Sequence, residues 1–305
     1  MSYTIMIWNT QHFDNQKGVV SDAYAEKKEF LEYYLSQKKI DIFALFETGK
    51  TGDVNEKLIN DLSGYYTATS TLKQEGGKKK HTTLGSIIFI KNSIADEFED
   101  VSDKYILSSS EQRAPLLIRH KKSAYGFAFY HANSSYLASA NIIDTIAFIQ
   151  DNSETLGIKE LIFFGGDLNV PIQSAHNEIK GLKRLAPGGS GYTHVSVSNV
   201  TFELATKELK DLQERGMFFN RKPQDYLWEY MFNQGIEKCV LQGTLRLLDY
   251  AYVKYVNHWK SYCDGAIQEK TNSDYETIEI IRTCWGKKIR SDHFPVLFTL
   301  DASFE

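Results

Sequence analysis

The chain has 305 residues, 42% of them hydrophobic and 24% charged, which supplies a large core and is too evenly mixed in sign for a disordered polyelectrolyte. Its formal net charge of −4 excludes a protein that coats nucleic acid through bulk positive charge, but not an enzyme that meets phosphates on a local basic strip. Three widely spaced cysteines (Cys239, Cys263, Cys284) without a CxxC argue against a disulfide framework or a thiolate zinc site.

The opening "MSYTIMIWNTQHF" has neither the basic start nor the long apolar stretch of a secretory signal. Its residues 3–8 read as a short apolar strand instead. In residues 24–38, Phe30, Leu31, Tyr34 and Leu35 recur at helical spacing with charges on the other face, and "IDIFALFE" (40–47) follows as a buried strand. The chain thus opens strand–helix–strand, an α/β beginning. A polar helical stretch covers 53–62. "YYTATST" and "LGSIIFIK" then flank "LKQEGGKKKHTT", a hairpin with a lysine-rich tip.

Further strands are expected at 114–120 and 125–132, a helix at 139–152 with Ile142, Ile143, Ile146 and Ile149 on one face, and a strand at 160–166. Residues 172–200 read as loop, and 204–216 as helix. Strands at 245–253, 275–283 and 294–300 close the chain. No apolar run approaches the roughly 18 residues that span a bilayer, so no stable membrane insertion is expected and the cytoplasm is the expected location. Polar signals at strand ends are spread over the whole length, and the expectation is a single domain, 1–305.

Those strand ends carry the chemistry. The first strand stops at Asn9, the second at Glu47, "FAFYHA" at His131, and "LIFFGGDLNVP" at Asp167 and Asn169. "RSDHFPV" brings Asp292 and His293, and "LLDYAYV" sets Asp249 among apolar neighbours. Any one of these alone is a turn residue or a packed histidine. A carboxylate amid leucines needs a partner, because an unpaired buried charge costs several kcal/mol, and a histidine is the natural one. Asp167 and Asn169, two apart on an extended segment, point to the same side.

Taken in order, "IWNTQ", "FALFET", "FYHANSS", "FFGGDLNVP", "LLDYAYV" and "SDHFPV" resemble the signature blocks of the endonuclease/exonuclease/phosphatase superfamily, closest in style to DNase I and cytolethal-distending-toxin nucleases. The resemblance implies an α/β fold, a four-layered α/β sandwich of two mixed sheets packed face to face with helices outside. It also implies a hydrolase of phosphate esters that uses Mg2+, for which Mn2+ can substitute. By resemblance Glu47 is the main metal carboxylate, helped by Asn9 and Asp292, an all-oxygen set suited to a hard cation. Asp249 orients His293, which serves as base or as a clamp on a phosphoryl oxygen. Asp167 orients or deprotonates the attacking water, Asn169 holds the scissile phosphate, and His131 stands across the site. Arg113 resembles an arginine that nucleases of this group place against the substrate backbone, and Lys78, Lys79 and Lys80 at the hairpin tip are candidates to track phosphates.

One departure stands out. The glutamate that supports the equivalent of His131 in DNase I-type nucleases is missing from "HTTLGSIIF", which offers only Thr82, Thr83 or Ser86. The expected function is a Mg2+-dependent phosphodiesterase, a nuclease with DNA or RNA as substrate. The alternative is a phosphatase or phosphodiesterase of inositol phosphates, phospholipid headgroups or nucleotides.

Overall fold

The computed structural model describes residues 2–11, 13, 22–49, 52–72, 85–106, 113–188, 193–197, 243–263, 291 and 293–301. The expected helix at 204–216, the strand at 275–283, the lysines of the hairpin tip (Lys78, Lys79, Lys80), Thr82, Thr83 and Asp292 lie outside the described residues.

One mixed sheet contains β1 (Ser2–Asn9), β2 (Ile42–Phe46), β3 (Tyr66–Leu72), β4 (Ser86–Lys91), β14 (Trp259–Cys263) and β15 (Val296–Asp301), in the order β14-β15-β1-β2-β4-β3. The other contains β5 (Phe98–Asp100), β6 (Leu116–His120), β7 (Tyr125–Phe129), β8 (Glu160–Asp167), β9 (Glu178–Ile179), β10 (Leu182–Leu185) and β13 (Asp249–Val253), in the order β5-β6-β7-β8-β13-β10-β9. A separate ribbon pairs β11 (His194–Val197) with β12 (Gly243–Arg246). The helices are α1 (Asp22–Lys38), α2 (Gly52–Leu62), α3 (Ala138–Asp151) and α4 (Ser153–Leu156).

Strand alternation builds the layers. Ile5 and Ile7 of β1, with Ile42 and Ala44 of β2, face Leu116, Ile118, Phe127 and Phe129 of the second sheet in one buried core. The intervening Met6 and Trp8 turn outward against Phe30, Leu31 and Tyr34 of α1 and Leu58 of α2. On the far side, Phe164 of β8 packs with Ile142, Ile146 and Ile149 of α3. The result is the expected four-layered α/β sandwich.

Several expectations change. "LRLLDYAYV" is not one strand, since Leu247 and Leu248 separate β12 from β13. Their backbones bond to loops: Leu248 N–H donates to Thr193 Oγ1, and the Leu248 and Leu247 carbonyls accept from Leu168 and Ile172 N–H. Asp249 therefore begins a strand rather than sitting inside one. The segment 172–200, read as loop, contains β9, β10 and β11: β9 pairs with β10, while β10 and β11 find ladder partners on β13 and β12 far along the chain. β5 and β14 had no expected counterpart. The strand read over 125–132 stops at Phe129, and Tyr130 and Ala132 instead donate to Gly165 and Asp167 carbonyls.

Candidate active site

Topology gathers the strand ends on one rim. β1 and β2 run parallel, so their C-terminal ends deliver Asn9 and Glu47 side by side. β7 and β8 are likewise parallel and deliver His131 and Asp167. β13 is antiparallel to β8 with Asp249 opposite Asp167, and β15 is antiparallel to β1, so the residues preceding it bring His293 to the same place.

Backbone geometry sharpens the convergence. Gly166 has φ +156, and a Cβ there would stand 1.9 Å from the Tyr130 carbonyl oxygen. Only glycine lets the chain after β7 press against β8 closely enough to set His131 beside Asp167. Glu47 (φ +52) and Asn169 (φ +51) adopt the left-handed conformation, which costs a non-glycine residue about 1 kcal/mol and is typically held by its surroundings at functional sites.

Asp167, 1% exposed, is the centre of the cluster. Its Oδ2 accepts from Asn9 Nδ2 at 2.9 Å and lies 3.5 Å from His131 Nε2 and 3.6 Å from His293 Nε2. Its Oδ1 accepts the Asn169 N–H at 3.1 Å. Burial works to raise its pKa, but the imidazoles of His293 and His131 and the Asn9 amide outweigh it and hold the carboxyl below the ordinary value. Asp249, equally buried, accepts from or donates to His293 Nδ1 across 2.8 Å. Burial lifts its pKa, nearby Asp167 adds to the rise, and His293 opposes without cancelling it.

Glu47 Oε1 lies 3.5 Å from His131 Nε2, so among the described residues Glu47 and Asp167 both set a carboxylate beside this histidine. Asn169 donates Nδ2 to the Ala132 carbonyl at 2.8 Å, and Arg113 reaches the His131 carbonyl at 3.5 Å. Of the residues expected in the site, the structure thus brings together Asn9, Glu47, Arg113, His131, Asp167, Asn169, Asp249 and His293. Ser86 is buried.

Sequence reasoning missed the groups that fasten this arrangement. Thr193 Oγ1 accepts the N–H of both Leu248 and Asp249 at 3.0 Å, and its carbonyl accepts Phe294 N–H at 2.9 Å, tying the Asp249 turn to the His293 turn. His194 packs its ring edge-on to His293, with centroids 4.5 Å apart. Ser291 Oγ donates to the Asn9 carbonyl and accepts the His293 N–H. Thr193 and His194 lie in a Gly- and Ser-rich stretch with no periodicity to mark them.

No protein-family model matches the chain, and no curated protein matches it. Solved structures do. TDP2 from C. elegans aligns over 99% of this chain and 76% of its own at 14% identity, with a TM-score of 0.55. An endonuclease/exonuclease/phosphatase from Bacteroides vulgatus aligns over 99% of this chain and 100% of its own at 12% identity, with a TM-score of 0.52. An endonuclease/exonuclease/phosphatase family protein from Bacteroides thetaiotaomicron covers 98% and 97% at 14% identity, with a TM-score of 0.51. The likeness is one of fold: the chain has the α/β sandwich of the endonuclease/exonuclease/phosphatase, or DNase I-like, superfamily.

Proposed function

We propose that this chain is a divalent-metal-dependent phosphodiesterase of one catalytic domain, a nuclease acting on DNA or RNA. Its main support is the convergence of Asp167, His293, Asp249, His131, Glu47 and Asn9 on one rim, from strand ends far apart in sequence. In-line attack on phosphorus requires a positioned water, neutralised phosphoryl oxygens and a stabilised leaving oxygen.

Asp167 is suited to orienting the water rather than deprotonating it, because a carboxyl held below its ordinary pKa is a weak base. His293, with Nδ1 anchored on Asp249, presents Nε2 toward the same oxygen and is the group to accept a proton or clamp a phosphoryl oxygen. Asn169, with one amide N–H on the Ala132 carbonyl, has its second to offer the scissile phosphate. His131 faces the phosphate from the opposite wall.

The donors fit a hard cation. Glu47 and Asp167 crowd two carboxylates around one imidazole nitrogen, a concentration of negative charge that a divalent ion offsets. Glu47 and Asn9 would hold Mg2+, or Mn2+ in its place, with Asp292 as the third expected ligand. The ion would supply charge stabilisation to the phosphoryl oxygens.

Nucleic acid is favoured over a small phosphate ester by Arg113 on the rim near His131, with the Lys78–Lys80 tip as the expected companion strip. The test is incubation with supercoiled plasmid and single-stranded oligonucleotides in Mg2+ or Mn2+. Nicking that disappears in Asp167→Ala and His293→Ala is the expected result. Intact plasmid, with inorganic phosphate released from an inositol phosphate or nucleotide panel, would move the assignment to a phosphatase.

A further inference from the structure

Helix α1 carries a lysine where its apolar stripe continues. Lys27 precedes Phe30 and Leu31 by three and four residues, on the buried face, and is only 2% exposed. A buried ammonium costs several kcal/mol unless its protons find acceptors. Here Nζ donates to the Thr10 carbonyl at 2.6 Å and to the Gln11 carbonyl at 3.3 Å.

Those two residues follow Asn9 directly. Thr10 donates its N–H and Oγ1 to the Phe46 carbonyl, both at 2.9 Å, and its Oγ1 also meets the Glu47 carbonyl at 3.0 Å. Gln11, held at φ +46, donates its N–H to Asn9 Oδ1 at 3.0 Å. The Asn9 amide is thereby turned so that Nδ2 reaches Asp167 Oδ2 at 2.9 Å. A single chain of contacts runs from the ammonium through the turn to the central carboxylate.

We propose that Lys27 is a positioning residue of the site, fixing the 9–11 turn from behind and so setting the Asn9 amide against Asp167. Lysine suits the task because its compact ammonium has three donors and two carbonyls converge on it. The strained conformation of Gln11 is what such an anchor would stabilise. The effect on rate rests on the hydrolase reading above; the effect on the Asn9 amide does not.

The experiment follows the Asn9 side-chain NH2 resonances in 15N-labelled protein, assigned by their loss in Asn9→Ala, with kcat and KM on bis(p-nitrophenyl) phosphate. Lys27→Met, which keeps the aliphatic stem, is expected to shift those resonances and lower kcat about 10-fold with KM little changed. Added to Asn9→Ala, it should cost no further activity, because the two act in series. Lys27→Arg, which keeps charge and donors, should recover most of the rate. A folded Lys27→Met with Asn9 resonances in the wild-type position, or losses that add in the double variant, overturns the proposal. If Lys27→Met does not fold, Lys27→Gln is read by the same resonances, and their lack of movement is equally fatal. If the wild type hydrolyses nothing, the hydrolase reading fails, while the resonances still decide the role of Lys27.

Discussion

Asp167 and Asp249 stand opposite one another as register partners of β8 and β13, and the His293 ring spans them, Nδ1 at 2.8 Å from Asp249 and Nε2 at 3.6 Å from Asp167. Two buried carboxyls this close differ in pKa because each sees different company. Asp167 sees His293, His131 and an amide donor, whereas Asp249 sees His293 and the charge of Asp167.

In the proposed hydrolase this bridge would make Asp249 act through His293. Asp249→Asn, which mis-sets the His293 ring, is expected to lower kcat by roughly 10²- to 10⁴-fold, near the loss from His293→Ala. The double variant should lose little more than either single one. Independent, multiplying losses would mean that Asp249 does not act through His293.

The opposite shifts give the two carboxyls opposite effects on stability with pH. Asp167 has a folded pKa below its unfolded value of about 3.9, so its stabilisation is present above that value and is lost as pH falls through the folded pKa. Asp249 has a raised folded pKa, so its stabilisation is present below about pH 3.9 and is lost as pH rises through the folded pKa. Thermal melts in EDTA from pH 3 to 8 should show Asp167→Asn with a shallower acid loss and Asp249→Asn with a flatter decline above pH 4. Curves parallel to wild type in both variants would contradict these shifts.

Gly166 is the position where a single methyl should be least tolerated. A Cβ placed 1.9 Å from the Tyr130 carbonyl forces the chain after β7 away from β8. Gly166→Ala is expected to destabilise by about 3 kcal/mol or more in urea unfolding, and to depress activity further in the surviving folded fraction by displacing His131. A variant with wild-type midpoint and rate would show that the close approach is dispensable.

Metal binding is separable from turnover. Mg2+ or Mn2+ at about 100 times its Kd should raise wild-type stability by about 2.7 kcal/mol, seen as a higher Tm. Glu47→Gln should remove most of that rise while leaving the metal-free Tm within a few degrees, since the side chain is partly exposed. An undiminished rise in Glu47→Gln would place the ion elsewhere.

Much of the site was legible because polar residues ending apolar runs are conspicuous. Strand alternation was expected to put Asp167 and Asn169 on one side, but β8 ends at Asp167 and Asn169 is left-handed at φ +51; a carboxylate among leucines at Asp249 asked for a histidine. Lys27 also left a mark, since its spacing sets it on the helical stripe of Phe30 and Leu31. Thr193 and His194 left none, because what they do depends on Leu248, Asp249 and His293, which the local sequence around them does not contain.

By itself, the sequence marked the longer strands and helices among the described residues and the types of residue at the strand ends, since these follow from local periodicity, while the two-sheet sandwich was implied by the resemblance of its blocks. The tertiary structure decided which of those ends meet. Asn9 reaches Asp167 across 158 residues because β1 with β2 and β7 with β8 are parallel pairs whose ends share one rim. It also decided that "LRLLDYAYV" breaks at Leu247 and Leu248, where backbone groups bond to distant loops rather than to a neighbouring strand. Ladder pairing and buried hydrogen bonds join residues far apart in the chain, and no short window of sequence contains both partners.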